Sequence, residues 1–123
     1  MRVPGLEKMS EVRLKKVESL LRAEISSLIS RKVVKDPRVH PMATVTGVEV
    51  SGDLHHAKVY ISFFGNDEQR NSCVEALNHA AGFVQKKLGE SLRLRTIPRL
   101  TFISDRSIER GVRITQKIRD LFS

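Results

Sequence analysis

At 123 residues the chain is long enough to bury one core without a metal, and its single cysteine, Cys73, excludes an internal disulfide framework. Residues 1–40 hold ten Lys/Arg against five acids, residues 41–80 two against five, and residues 81–123 ten against four, so the net +8 sits at two basic ends around an acidic middle. That asymmetry points to a polyanionic partner, nucleic acid ahead of a membrane surface, because no helix pairs a Lys/Arg-rich face with exposed Trp or Phe.

No apolar run reaches membrane-spanning length, and MRVPGLEKMS lacks the apolar centre of a secretory signal. The expectation is a cytoplasmic protein in a reducing compartment, with an organellar homologue as the alternative. One domain over 1–123 is expected, with 1–8 flexible.

The first helix is predicted from an N-cap at Ser10, with Leu14, Val17, Leu21, Ile25 and Leu28 at helical spacing and Leu20 and Ile29 widening the stripe. KDPRVHP, residues 35–41, is expected to stop it at Pro37. Next, ATVTGVEV alternates but slips by one at Gly47, which predicts a bulge or a close backbone approach. AKVYISFF alternates cleanly, with Ala57, Val59, Ile61 and Phe63 inward, and SGDLHH between the two runs predicts an antiparallel hairpin.

Beyond FGND, the positions Val74, Leu77, Ala81, Val84 and Leu88 step by three and four straight through Gly82. This predicts a kinked helix, or two helices nearly end to end, with Lys86 and Lys87 in the last turn and Gly89 as its stop. Pro98 opens a third strand, LTFIS, and Ser104 or Asp105 caps a final helix through IERGVRITQKIRDLF. The order α-β-β-α-kink-α-β-α makes an α+β fold: a three-stranded sheet with helices packed on one face.

A β-α-α-β run whose helices meet at a glycine is the core of a K-homology domain, and the preceding helix and strand make the type II variant. Such domains clamp a nucleic-acid backbone with a GXXG loop between the helices. This chain has AAG instead. In that departure, and in KDPRV, VTGVEVSGDLHHAKVYISF, AAGFVQKKLG, LRLRTIPRLTF and DRSIERGVRI taken in order, it closely resembles the ribosome-binding factor A family. The resemblance covers nearly the whole chain. It implies a type II K-homology fold with an Ala-x-Gly kink at Ala80, Ala81 and Gly82. It also implies a non-catalytic factor that binds free small ribosomal subunits rather than complete ribosomes. Such a factor assists late maturation and processing of 16S rRNA, notably in the cold. Gln85 stands where an arginine is common in the family, which puts a phosphate contact there in doubt, and Arg99 stands where an acid is frequent.

The expected RNA-binding residues are Ala80, Ala81 and Gly82 at the kink, a ladder of Lys86, Lys87, Arg93, Arg95 and Arg99, and a second cluster of Arg31, Lys32, Lys35 and Arg38. Gly82 has two readings, a packing or turning role and exposure of backbone amides to phosphate, and whether the two clusters share a surface is open. Lys86, Lys87, Arg31 and Lys32 also suit a helix dipole, and all of these charges could be a solvated surface. Arg93 and Arg95 would share a face if extended. Arg106, Arg110 and Arg113 extend the basic set. With Tyr60 as the one outward aromatic, contacts are expected with phosphates and RNA shape rather than base edges.

Other classes fit less well. A general DNA-binding domain is the main alternative. A metal-dependent hydrolase built on Asp53, His55 and His56 is remote, since a hairpin loop offers too few ligands. Cys73 and His79, six apart, fall on different helix faces. No enzyme, cofactor, metal or small-molecule substrate is expected, and the chain is expected to be a monomer.

Overall fold

Leu21, Ile25, Ile61, Leu77 and Leu88 meet in the interior and leave almost no surface to solvent. The computed structural model describes the backbone of residues 4–63 and 65–105, with side chains from residue 11 onward. The expected final helix, with Arg106, Arg110 and Arg113, lies outside the described residues.

Helix α1 (Pro4–Ser30) begins seven residues earlier than an N-cap at Ser10 suggests, so Ser10 is interior and not a cap. Proline suits a first turn, where an amide hydrogen would lack a helical partner. Val17, Leu21, Ile25, Leu28 and Ile29 are buried as the stripe predicts, whereas Leu20 is 44% exposed and does not join it. The helix also ends before Pro37. Val33 N–H donates to the Leu28 carbonyl (3.0 Å) and Lys32 N–H to the Ile29 carbonyl (3.1 Å), with Lys32 left-handed at φ 59°. This is a Schellman stop with a lysine where glycine is usual, at a cost of about 1 kcal/mol.

Strands β1 (Thr44–Val50), β2 (His56–Ser62) and β3 (Arg99–Ser104) form one sheet in the order β1-β2-β3. β1 and β2 are antiparallel, while β2 and β3 are parallel. The register jumps from Val45 opposite Ile61 to Gly47 opposite Tyr60, leaving Thr46 as the extra residue of the bulge that the slip predicts. Phe63 falls past the end of β2 and is half-buried; its ring lies 4.9 Å from that of His40.

The parallel connection from β2 to β3 carries helices α2 (Asp67–His79) and α3 (Ala81–Ser91). A capping box opens α2: Asn66 Oδ1 accepts from Gln69 N–H (2.7 Å), and Gln69 Oε1 accepts from Asn66 N–H (3.1 Å). The joint between the helices is Ala80, at φ −90° and ψ 6°. Helix α3 runs to Ser91, so Gly89 is not its stop and Lys86 and Lys87 are not in its last turn.

The core lies on one face of the sheet, where Val45, Val48, Val59, Leu100 and Phe102 meet the helices. The opposite face carries Glu49, Lys58 and Thr101 in one cross-strand row and His56 beside Arg99, all exposed.

Candidate nucleic-acid interface

The kink is held against the outer edge of β3 by two amides. Asn78, at the end of α2, donates through Nδ2 to the Phe102 carbonyl (3.0 Å) and accepts from Phe102 N–H at Oδ1 (2.7 Å). Gln85, in α3, accepts from Leu100 N–H at Oε1 (3.0 Å). Two side chains thus satisfy backbone groups that a fourth strand would otherwise pair. Gln85 is thereby committed to β3 and accepts a backbone hydrogen bond there. Neither amide is recognisable in sequence, because the partners are backbone groups of a strand 15 and 24 residues away.

Between these anchors, Ala80 and Ala81 are half-buried and Gly82 is exposed. Gly82 has an ordinary φ, and a Cβ built on it meets nothing within 4 Å. It is therefore demanded neither by the turn nor by a neighbouring group among the described residues. No side chain caps α3 at Ala80. Phe83, 42% exposed, lies 5.6 Å from Lys87 Nζ, which also pairs with Glu90 at 3.6 Å. Lys86 is exposed.

The two basic clusters sit at opposite ends of the sheet. Arg99 is the first residue of β3 and lies beside the β1–β2 hairpin, with its N–H donating to the His55 carbonyl at 2.8 Å. Arg93 and Arg95 occupy the loop that enters β3 and belong to no strand, so alternation does not place them on one face. All three are exposed and make no ion pair with a described residue. The loop after α1 lies at the other end, where β1 starts and β2 finishes. The six residues of β3 set a separation of about 20 Å.

That loop is tied down. Arg31 donates from Nε to Ser27 Oγ (2.9 Å), and its Nη2 is 3.9 Å from Glu24. Arg38 grips Asp36 with Nε (3.1 Å), Nη2 (2.9 Å) and its own backbone N–H (2.9 Å). These hydrogen bonds lower the Asp36 carboxyl to about 2. His79 and Glu75 add longer-range attraction to Asp36 and Arg38 respectively, which puts the loop beside α2 on the approach to the kink. Lys32 and Lys35 are exposed and make no ion pair with a described residue.

The alternative chemistries find little in this geometry. Asp53 takes hydrogen bonds from Ser51 Oγ (2.6 Å) and His55 N–H (3.0 Å), so its carboxylate shapes the hairpin. Among the described residues no group of three His, Cys, Asp or Glu could hold a metal ion, and no helix is long and apolar enough to cross a membrane. Cys73 is buried, and burial pushes its thiol above the ordinary value.

The family model described as ribosome-binding factor A matches residues 13–118. A ribosome-binding factor A of Gloeobacter violaceus is 42% identical over 107 residues, covering 86% of this chain and 83% of the relative. That of Synechocystis is 43% identical, covering 89% and 82%. Among solved structures, the crystal structure of ribosome-binding factor A from Thermus thermophilus aligns with a TM-score of 0.64 at 28% identity, covering 76% of this chain and 98% of that one. A homology model of the Thermus protein fitted into the cryo-EM map of a 30S–RbfA complex aligns at 0.54 and 28% identity, covering 71% and 93%.

Proposed function

The chain belongs to the ribosome-binding factor A family, and from that premise we propose that it is a non-catalytic RNA-binding assembly factor of the small ribosomal subunit. It docks as a monomer on free 30S particles in the cytoplasm, assists late maturation and processing of 16S rRNA, and matters most in the cold. It needs no cofactor, metal or small-molecule substrate.

The observation that carries this reading is the arrangement of charge around the kink. Exposed cations at both ends of the sheet, Lys32 and Lys35 on one side and Arg93, Arg95 and Arg99 on the other, flank the first turn of α3, where Gly82 is exposed beside the joint at Ala80. A stretch of phosphate backbone crossing α3 meets cations at both ends, with Lys86 and Lys87 between. A complex of a Thermus relative with the 30S subunit supports the same partner. Such a protein acts through differential affinity: it favours the rRNA conformation that it binds more tightly, by no more than that difference.

Sedimentation of cell extract on a sucrose gradient tests the reading. The protein should travel with free small subunits and be absent from complete ribosomes. Travel with bulk DNA instead would favour a general nucleic-acid-binding domain.

A further inference from the structure

Behind the last turn of α1 lies an open concavity of about 450 Å³. Val34, Val39 and Pro41 form its apolar lining, with Lys32, Lys35 and Pro37 exposed around it. Asp36 also contributes, but Arg38 holds both of its carboxylate oxygens. The charge left to an incoming group is therefore that of the two lysines. One of them, Lys32, occupies a left-handed backbone position that favours glycine, so local backbone preference does not account for a cation there.

An apolar lining beside two cations matches a ligand that is flat and apolar on one side and anionic on the other. A base-paired stem cannot present one, because its base faces are stacked on one another and only phosphates, 2′-hydroxyls and base edges reach outward. We propose that this concavity takes one unpaired nucleotide of the bound RNA, its phosphate between Lys32 and Lys35 and its base against Val34, Pro37 and Pro41. The inference rests on the RNA-binding reading above and names what that surface selects: a looped-out residue, recognised by shape and charge. Among the described residues no aromatic ring lines the site, so selectivity among the four bases is expected to be slight.

The full chain is titrated into two labelled RNAs, a fully paired hairpin and the same stem with one bulged uridine. Lys32→Gly and Lys35→Gln are compared with the parent, and melting temperature is recorded for each. The parent should prefer the bulged stem. Lys32→Gly should melt higher, since it relieves the left-handed strain, and still bind the bulged stem about tenfold more weakly. Lys35→Gln should lose a similar factor, and the paired stem should respond less to either change. Equal weakening toward both RNAs, or no weakening, overturns the pocket. So does displacement of the bulged RNA by uridine monophosphate or by an oligoglutamate peptide at matched concentration, which would make the occupant a free nucleotide or an acidic protein segment. A parent protein that travels with small subunits but shows no preference for the bulge overturns this inference alone. One that binds neither the RNAs nor subunits overturns the reading it rests on.

Discussion

The loop after α1 and the loop before β3 carry similar charge but hold it differently. In the first, Arg38 is locked onto Asp36 and Arg31 is drawn to Ser27 and Glu24, so two of its four cations serve the protein's own structure. In the second, Arg93 and Arg95, with Arg99 at the start of β3, pair with no described acid and stand exposed. An exposed cation without an internal partner gives up no protein contact when it meets a phosphate, whereas a clamped one must first release its carboxylate. The difference teaches that a basic run in sequence overstates the charge available for binding. The loop before β3 should carry most of the affinity, and the loop after α1 should contribute shape together with Lys32 and Lys35.

The largest expected effect tests that asymmetry directly. Arg93→Glu with Arg95→Glu should weaken binding to small subunits by more than about tenfold and leave the melting temperature nearly unchanged. Arg38→Gln should change affinity far less. Equal losses from the two would erase the distinction between the loops.

Asn78→Ala comes next. It strips the partners from Phe102 N–H and carbonyl and should cost about 2 kcal/mol in denaturant unfolding. A loss too small to measure would mean that water replaces the amide and that the kink is not anchored at this edge. Gly82→Ala should do the opposite, stabilising by about 0.5 kcal/mol, because the added methyl meets no described atom and the unfolded chain loses freedom. Weaker RNA binding alongside that gain would place a phosphate against the glycine, whereas unchanged binding would leave Gly82 without a role at the interface.

The smallest effect concerns the clamp. The folded Asp36 carboxyl, at about 2, lies below its ordinary 3.8, so its contribution is fully present above that ordinary value and is lost as pH falls through about 2. A carboxyl NMR titration should find the Asp36 midpoint near 2. A midpoint near 3.8 would show an unclamped loop in which Arg38 is as free as Arg93.

Particular residues show what could be read without coordinates. The bulge announced itself because a strand has period two, so one extra residue flips the apolar face between Val45 and Val48. The helix pair was legible from its apolar phase, but the joint was not: Ala80 causes no slip, and the glycine that drew attention lies two residues further on. The end of α1 was misplaced because the left-handed residue is Lys32, which carries none of glycine's signal, while Pro37 downstream looked like the stop. Its start was misplaced because Ser10 is a good cap in isolation, and Pro4 was the better marker. Arg38 read as a free cation because the geometry that spends it on Asp36, two residues back, depends on the turn of the loop.

The central claim is that exposed cations at the two ends of the sheet grip RNA phosphates, and the salt dependence of binding to purified small subunits tests it most directly. The parent protein should give log K against log salt a slope of about −3 to −5, and Arg93→Glu with Arg95→Glu should flatten it by about 2. A flat response in the parent, or an unchanged slope in the double variant, would contradict the claim.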